Sequence, residues 1–258
     1  MREYDDLSVA LNGNIATITI QRPPNNFFDY LLIEQIADVL ETLDDESDCR
    51  VAILASEGKN FCAGANFSQD KEMMNKTNPY SKLYREAVRL FRTKKPIIAA
   101  VQGAAVGGGL GLALAADFRI ASPESRFSAN FAKLGFHQGF GSSVTLPRVV
   151  GQQNAAMMLY TAKRVKGEEA LRLGLIDYLV PSSSDILKKT KEFALEIASS
   201  APMAVESIRA TVRGDLADQV EEVVAWELSE QIRLQSSDDF KEGIAASLER
   251  REAKFNRS

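Results

Sequence analysis

Apolar and polar residues alternate through residues 7–11 and 15–21, and Asn12-Gly13 between them is a tight-turn signal, so the chain is expected to open on a β-hairpin. Residues 22–26 (RPPNN) read as a loop, because Pro23 and Pro24 cannot donate to a ladder. Asp29 can cap a helix whose apolar stripe is Leu32, Ile36, Leu40 and Leu43. Residues 51–55 have the unbroken apolar run of a buried strand, and 58–70 form a loop. An amphipathic helix over 81–93 carries Tyr84, Val88 and Phe91. A second buried strand spans 97–101, Gly107–Gly109 opens a further helix, and 118–122 make a third buried strand. From residue 151 the spacing becomes helical, over 151–161, 167–174, 184–200 and the long stretch 202–255. Only 177–180 looks strand-like in that part.

The pattern gives a β/α body over 1–200 and a helical region over 201–258, without internal repeats or low-complexity tracts. The charged end, 247–258, reads as a solvated helix face, and Trp226 as a core or subunit contact beside Val223, Val224 and Leu228. Residues 96–116 are uncharged and long enough to span a membrane, but five glycines and Gln102 interrupt them. A buried strand, a turn and a buried helix account for the segment better. The first residues lack the apolar core of a secretory signal, so the expected location is the cytoplasm or another reducing compartment.

A length of 258 residues with 45% hydrophobic and 26% charged residues is that of a globular chain with a sizeable core. The formal net charge of −4 argues against nucleic acid or an anionic membrane surface as partner. Two cysteines, Cys49 and Cys62, are too few for a disulfide framework and read as buried thiols. With a single histidine, His137, the usual Cys/His zinc sites are excluded and no metal is expected.

The familiar phosphate and nucleophile motifs fail. Gly58-Lys59 resembles the end of a P-loop, but Ile53 and Asn60 stand where glycine and a hydroxyl are needed. The third glycine of a dinucleotide fingerprint falls on Leu112, and no GxSxG elbow is present. Two glycine-bearing turns after apolar strands remain: Ala63-Gly64-Ala65-Asn66 and Gly107-Gly108-Gly109. Small residues let a ligand approach the main chain, and the free N–H groups at a helix start favour negative charge. Two such N–H groups aimed at one point would make an oxyanion hole; close helix–strand packing alone would also explain the glycines.

RPPNNFFD, GKNFCAGANF and PIIAAVQGAAVGGGLGLALAADFRIAS, followed by FAKLGFHQGFGSSVTLPRVVG, GEEALRLGLIDYLV and DDFKEGIAASLERR, closely resemble the enoyl-CoA hydratase/isomerase (crotonase) superfamily over nearly the whole chain. The resemblance implies an α/β fold of the ClpP/crotonase-like kind, a ββα spiral with a helical C-terminal trimerisation part. It implies a homotrimer or dimer of trimers acting on an acyl-CoA thioester, with coenzyme A as part of the substrate and no tightly bound cofactor. Carried over by position, the oxyanion donors are the N–H groups of Ala65 and Gly108. The main chain from Ala63 through Asn66 and Phe67 to Ser68 lies along the CoA moiety, and Arg250 offers a basic group to its phosphates. An aromatic residue common three positions before Arg250 is Ser247 here, and Pro24 replaces a basic residue of the first loop.

The departures concern proton transfer. The two glutamates of hydratases align with Gly111 and Phe131, and a third acidic position used by isomerases and dehalogenases aligns with Gly139. None can move a proton, whereas a carboxylate in such a role contributes typically 10²–10⁴-fold. His137 and Gln138 stand beside the vacant positions; His137 is the acid–base candidate, and Gln138 aligns with a tyrosine of a decarboxylating branch. Asn130 is a further polar pocket candidate, Asn66 replaces a common aspartate as a turn brace, and Asp70 and Glu72 are loop carboxylates. Three readings are open. The first is an enoyl-CoA hydratase or isomerase, the second a decarboxylase of malonyl-type CoA, and the third a non-catalytic acyl-CoA-binding oligomer.

Overall fold

The computed structural model describes residues 4–66 and 79–258, with the side chains of 79 and 80 left aside. Strands β1 (Leu7–Asn12) and β2 (Ile15–Ile20) form the expected hairpin, with Gly13 at φ +58° in its turn. Helix α1 (Tyr30–Asp45) starts where Asp29 accepts from the Leu32 N–H at 2.9 Å, a cap worth about 1 kcal/mol. Its stripe of Leu32, Ile36, Leu40 and Leu43 is buried. Then come β3 (Val51–Ser56), α2 (Pro79–Arg92), β4 (Ile97–Val101), β5 (Ala104–Val106), α3 (Gly108–Ala115), β6 (Phe118–Ala121) and β7 (Arg126–Ser128). The chain continues through α4 (Ser142–Val150), α5 (Gln152–Thr161), β8 (Val165–Lys166), α6 (Gly167–Arg172) and β9 (Tyr178–Leu179). It ends in α7 (Ile186–Ala198), α8 (Pro202–Arg213), α9 (Leu216–Gln235) and α10 (Asp238–Glu249).

Six strands pair in the order β1-β2-β3-β4-β6-β9, parallel except for the hairpin. Both faces of this sheet are covered, which is why its central strands read as unbroken apolar runs. Val51, Ile53 and Ala55 of β3 join Ile98 and Ile120 under α7, while Ala52 and Leu54 face the larger core with α1 and α3. A smaller sheet, β5-β7-β8, lies beside it.

Several elements depart from the sequence pattern. Strands β5, β7 and β8 have only two or three residues each, too short for a periodic signal. Helix α4 was hidden behind Gly139 and Gly141 and holds Pro147 in its interior. The long C-terminal stretch breaks at Gly214 and at Ser237, whose hydroxyl caps α10. The charged end is not a helix beyond Glu249: Arg250 is left-handed (φ +56°), and Arg251 folds back onto Glu242 and Glu249. Trp226 is 63% exposed, so it belongs to no core within this chain.

Helix α8 is held by Asp117 at the start of β6. This carboxylate accepts from Arg209 Nε at 2.9 Å, Arg213 Nη1 at 3.0 Å and the Ile97 N–H at 2.8 Å. Arg209 also donates to the Thr93 carbonyl, and burial lowers the Arg213 guanidinium to about 10. Among the described residues, no helix is long and apolar enough to cross a membrane; residues 96–116 form β4, β5 and α3. Cys49 and Cys62 are both free and buried, and burial pushes the Cys62 thiol up to about 12.

Candidate active site

A short ladder joins the two glycine-bearing turns. Cys62 N donates to Ala104 O at 2.9 Å, and Val106 N donates to Cys62 O at 3.1 Å. On the other side, Phe28 N donates to Gly64 O at 3.1 Å. Residues 62–65 are therefore threaded between Phe28 and β5. Gly64 has φ +96°, and a Cβ there would lie 3.0 Å from the Val106 carbonyl oxygen, so only glycine suits the crossing.

The second turn starts α3. Gly107 N donates to Ser128 O at 2.8 Å, and Gly107 O accepts from Leu110 and Gly111. A Cβ at Gly108 would overlap the Phe28 ring, which fixes the close approach of this helix start to the first turn. Among the described residues, neither the Ala65 nor the Gly108 N–H has an acceptor. Both residues line one cavity of about 390 Å³. Two donors without an acceptor among the described residues, one of them at a helix N-terminus, give this cavity the polarity suited to negative charge on an oxygen.

The remaining wall is mostly aromatic. Phe28, Phe131, Phe136 and Phe140 line it, with Phe28 and Phe140 edge to face at a centroid distance of 6.0 Å. Tyr84 of α2 and Gln231 of α9 bring in the polar groups of that wall. The Tyr84 hydroxyl donates to Gln231 Oε1 at 2.7 Å, and Gln231 Nε2 donates to the His137 carbonyl at 3.0 Å. Among the described lining residues Tyr84 is the only ionisable side chain; no aspartate, glutamate or histidine is present.

Of the residues singled out in the sequence, Ala63, Ala65, Asn66, Gly108, Asn130 and Phe131 line this cavity together. Gly111, His137 and Gln138 do not line it. Gly111 is covered by Phe140, to whose Cβ a side chain there would come within 2.7 Å. The His137 ring is half-buried with Nδ1 2.8 Å from the Gln138 carbonyl, and the Gln138 amide donates to Ser143 Oγ at 3.0 Å. Arg250 lines an adjoining cavity of about 630 Å³ with Lys133, Arg164 and Arg251; the two cavities share Val106, Asn130, Leu134 and Ser247. Phe67, Ser68, Asp70 and Glu72 lie outside the described residues.

The pattern alone did not single out Gln231 or Glu227. Both stand on the buried stripe of α9, Leu216, Val220, Val224, Glu227 and Gln231, and a polar residue on an apolar stripe is the signal that could have found them. Glu227 accepts from the N–H groups of Gly141 and Ser143 at 2.8 and 2.9 Å at the start of α4. Burial nevertheless raises its carboxyl to about 7.

Comparison with known proteins shows the family and the fold. Residues 10–258 match the family model described as enoyl-CoA hydratase/isomerase. A short-chain-enoyl-CoA hydratase of Clostridium acetobutylicum is 32% identical over 256 residues, covering 96% of this chain and 97% of that protein. A crotonyl-CoA hydratase of Syntrophomonas wolfei is 32% identical over 257 residues, covering 98% of each. The crystal structure of an enoyl-CoA hydratase/isomerase from Pseudoalteromonas atlantica superposes with a TM-score of 0.87 at 29% identity, covering 98% of this chain and 100% of that one.

Proposed function

The chain belongs to the enoyl-CoA hydratase/isomerase family, with the crotonase fold, and from that premise we propose that it processes a short acyl-CoA by stabilising a thioester enolate between the N–H groups of Ala65 and Gly108. What carries the reading is the pair of donors without acceptors on one cavity. As the thioester carbonyl gains enolate character, charge builds on its oxygen. Each preorganised donor then contributes roughly 3–4 kcal/mol. Coenzyme A is part of the substrate and no other cofactor is invoked. Its phosphates fit the adjoining cavity, where Lys133, Arg164 and Arg250 gather positive charge.

Enoyl-CoA hydration or isomerisation is the reaction class that the relatives' names support. One observation favours a second reading. Among the described residues the cavity wall holds no carboxylate, and decarboxylation of a malonyl-type CoA leaves its electron pair as the enolate without needing a base. The test is a screen of enoyl- and malonyl-type CoA thioesters with wild type and Gly108→Val, whose side chain overlaps Phe28. Turnover of either class in wild type that is lost in the variant supports the enolate site. Unchanged turnover in the variant refutes it.

The subunit faces of the proposed trimer are the apolar surfaces of α8 and α9. Met203, Ile208 and Val212 of α8 are 84%, 61% and 68% exposed, and Trp226 of α9 is 63% exposed. A stable monomer by sedimentation at micromolar concentration would overturn this assembly.

A further inference from the structure

We infer that Phe28 is a positioning residue of the proposed oxyanion hole, holding the Ala65 turn with its main chain and the Gly108 turn with its ring, so that one residue sets the separation of the two donors; this rests on the enolate reading above. The Phe28 N–H donates to the Gly64 carbonyl at 3.1 Å, and Phe28 and Ala65 form a parallel bridge. The ring reaches the other turn. A Cβ built at Gly108 would lie 2.2 Å from Phe28 Cζ and 2.4 Å from its Cε1. The ring therefore fills the space that a side chain at 108 would take, and the start of α3 can come no nearer to the first turn.

The ring is itself braced. Phe28 is buried and meets Phe140 edge to face, with ring centroids 6.0 Å apart and planes at 73°. Phe140 takes a left-handed backbone, φ +63°, which an aromatic residue adopts only where its surroundings enforce it. Helix α9 enforces it from both sides. Gln231 Nε2 holds the His137 carbonyl at 3.0 Å before Phe140, and the buried Glu227 carboxyl accepts from the Gly141 and Ser143 N–H groups at 2.8 and 2.9 Å after it. Contacts thus run from α9 through Phe140 and Phe28 to both donor turns.

Donor spacing matters most to the charged state of the ligand. A neutral thioester carbonyl tolerates a displaced donor, whereas an oxygen carrying enolate charge loses much of its stabilisation. A leucine at 28 keeps the main-chain contacts and the apolar surface but lacks the flat ring that meets α3 and Phe140. The expected loss is about 10-fold in enolate stabilisation, part of the roughly 10²–10³-fold that deletion of a whole donor costs. Affinity for a thioester that forms no enolate should change by less than about 3-fold.

The experiment uses acetoacetyl-CoA as the probe with the full-length protein. The bound probe loses an α-proton to solvent, and the C–H electron pair moves onto the carbonyl oxygens as the enolate, which absorbs in the near ultraviolet. The pH at which this absorbance appears reports enolate stabilisation, and calorimetric titration with butyryl-CoA reports ground-state affinity. In the wild type the bound probe should ionise at a lower pH than the free probe. In Phe28→Leu the midpoint should rise by about one pH unit, the equivalent of that 10-fold loss, with butyryl-CoA affinity nearly kept. Phe140→Leu, which keeps Phe28 and removes its edge-on partner, should move the midpoint the same way and serves as the test if Phe28→Leu does not fold. An unmoved midpoint in a folded variant would mean that the Cys62 ladder alone fixes the donors, and an equal loss of butyryl-CoA affinity would make Phe28 only a wall of the cavity; either overturns the inference. A wild-type midpoint no lower than that of the free probe is a different result and would remove the enolate reading, and the inference with it.

Discussion

Phe140 stands where a side chain at Gly111 would go: a Cβ there would lie 2.7 Å from Phe140 Cβ and 2.9 Å from its ring. Phe140 is itself left-handed, with φ +63°, and is 1% exposed. If the hydratase glutamates align with positions 111 and 131, as the resemblance implies, the place of one is filled by an aromatic ring packed edge-on to Phe28 and the place of the other by Phe131.

Crotonyl-CoA hydration is accordingly expected to be at least about 10²-fold slower than in a two-glutamate hydratase. Gly111→Glu/Phe131→Glu will not restore it, because the new carboxylate must displace Phe140, an overpacking that costs about 1–3 kcal/mol. A coupled assay of hydration with wild type and variant checks both statements. Wild-type turnover equal to that of a two-glutamate enzyme would point to another acid–base group, with Asp70 and Glu72 the first to substitute.

His137 and Tyr84 make a paired comparison. The His137 side chain faces the Gln138 carbonyl, while its main-chain carbonyl holds Gln231. His137→Ala keeps that carbonyl and lies off the cavity, so it should lower turnover of the acyl-CoA substrate less than Tyr84→Phe, which changes the cavity wall, does. The reverse order, measured as kcat/KM on the same thioester, would return the histidine to the chemistry.

Glu227 should tie stability to pH. Its carboxyl is raised by burial from 4.5 to about 7, so the folded protein binds the extra proton between those values. Stability from this group is therefore complete below about pH 4.5 and is lost as pH rises through about 7, a loss of at most about 3 kcal/mol. Urea unfolding at about pH 5 and about pH 8 should show that decline, and Glu227→Gln should flatten it. An identical slope in the variant would contradict the assignment.

Asp117 neutralises two buried arginines at once. Asp117→Asn leaves Arg209 and Arg213, 7% and 12% exposed, without their carboxylate. Breaking a buried pair in this way costs about 3–5 kcal/mol. Equilibrium unfolding checks it, and a loss below about 1 kcal/mol would mean that α8 is held chiefly by its apolar contacts.

Much of this architecture was legible from spacing. The Asn12-Gly13 hairpin, the Asp29 cap and the fully apolar β3 and β4 each come from one local rule, and the structure keeps them. Strands such as Ala104–Val106 exist because Cys62 and Arg126–Ser128 pair with them, and that partnership has no local signature. In the candidate site, Ala65 and Gly108 were found by small residues at turns and by family resemblance. Tyr84 was read only as part of an apolar helix face, since nothing along the chain says that its ring end reaches Gln231, 147 residues away. His137 drew notice as the only histidine, and the fold turned its ring to its own neighbour instead.

The ladder between Cys62 and β5 has a consequence for how such a protein can change over generations. The donors it brings together, at Ala65 and Gly108, belong to the peptide backbone, which no codon change deletes. Substitution can crowd them but cannot replace them. The cavity side chains at 84 and 131, by contrast, can be exchanged while the proposed grip on a thioester oxygen persists. On the proposed reading, the ladder thereby separates an inherited activation step from a mutable choice of the reaction that completes it.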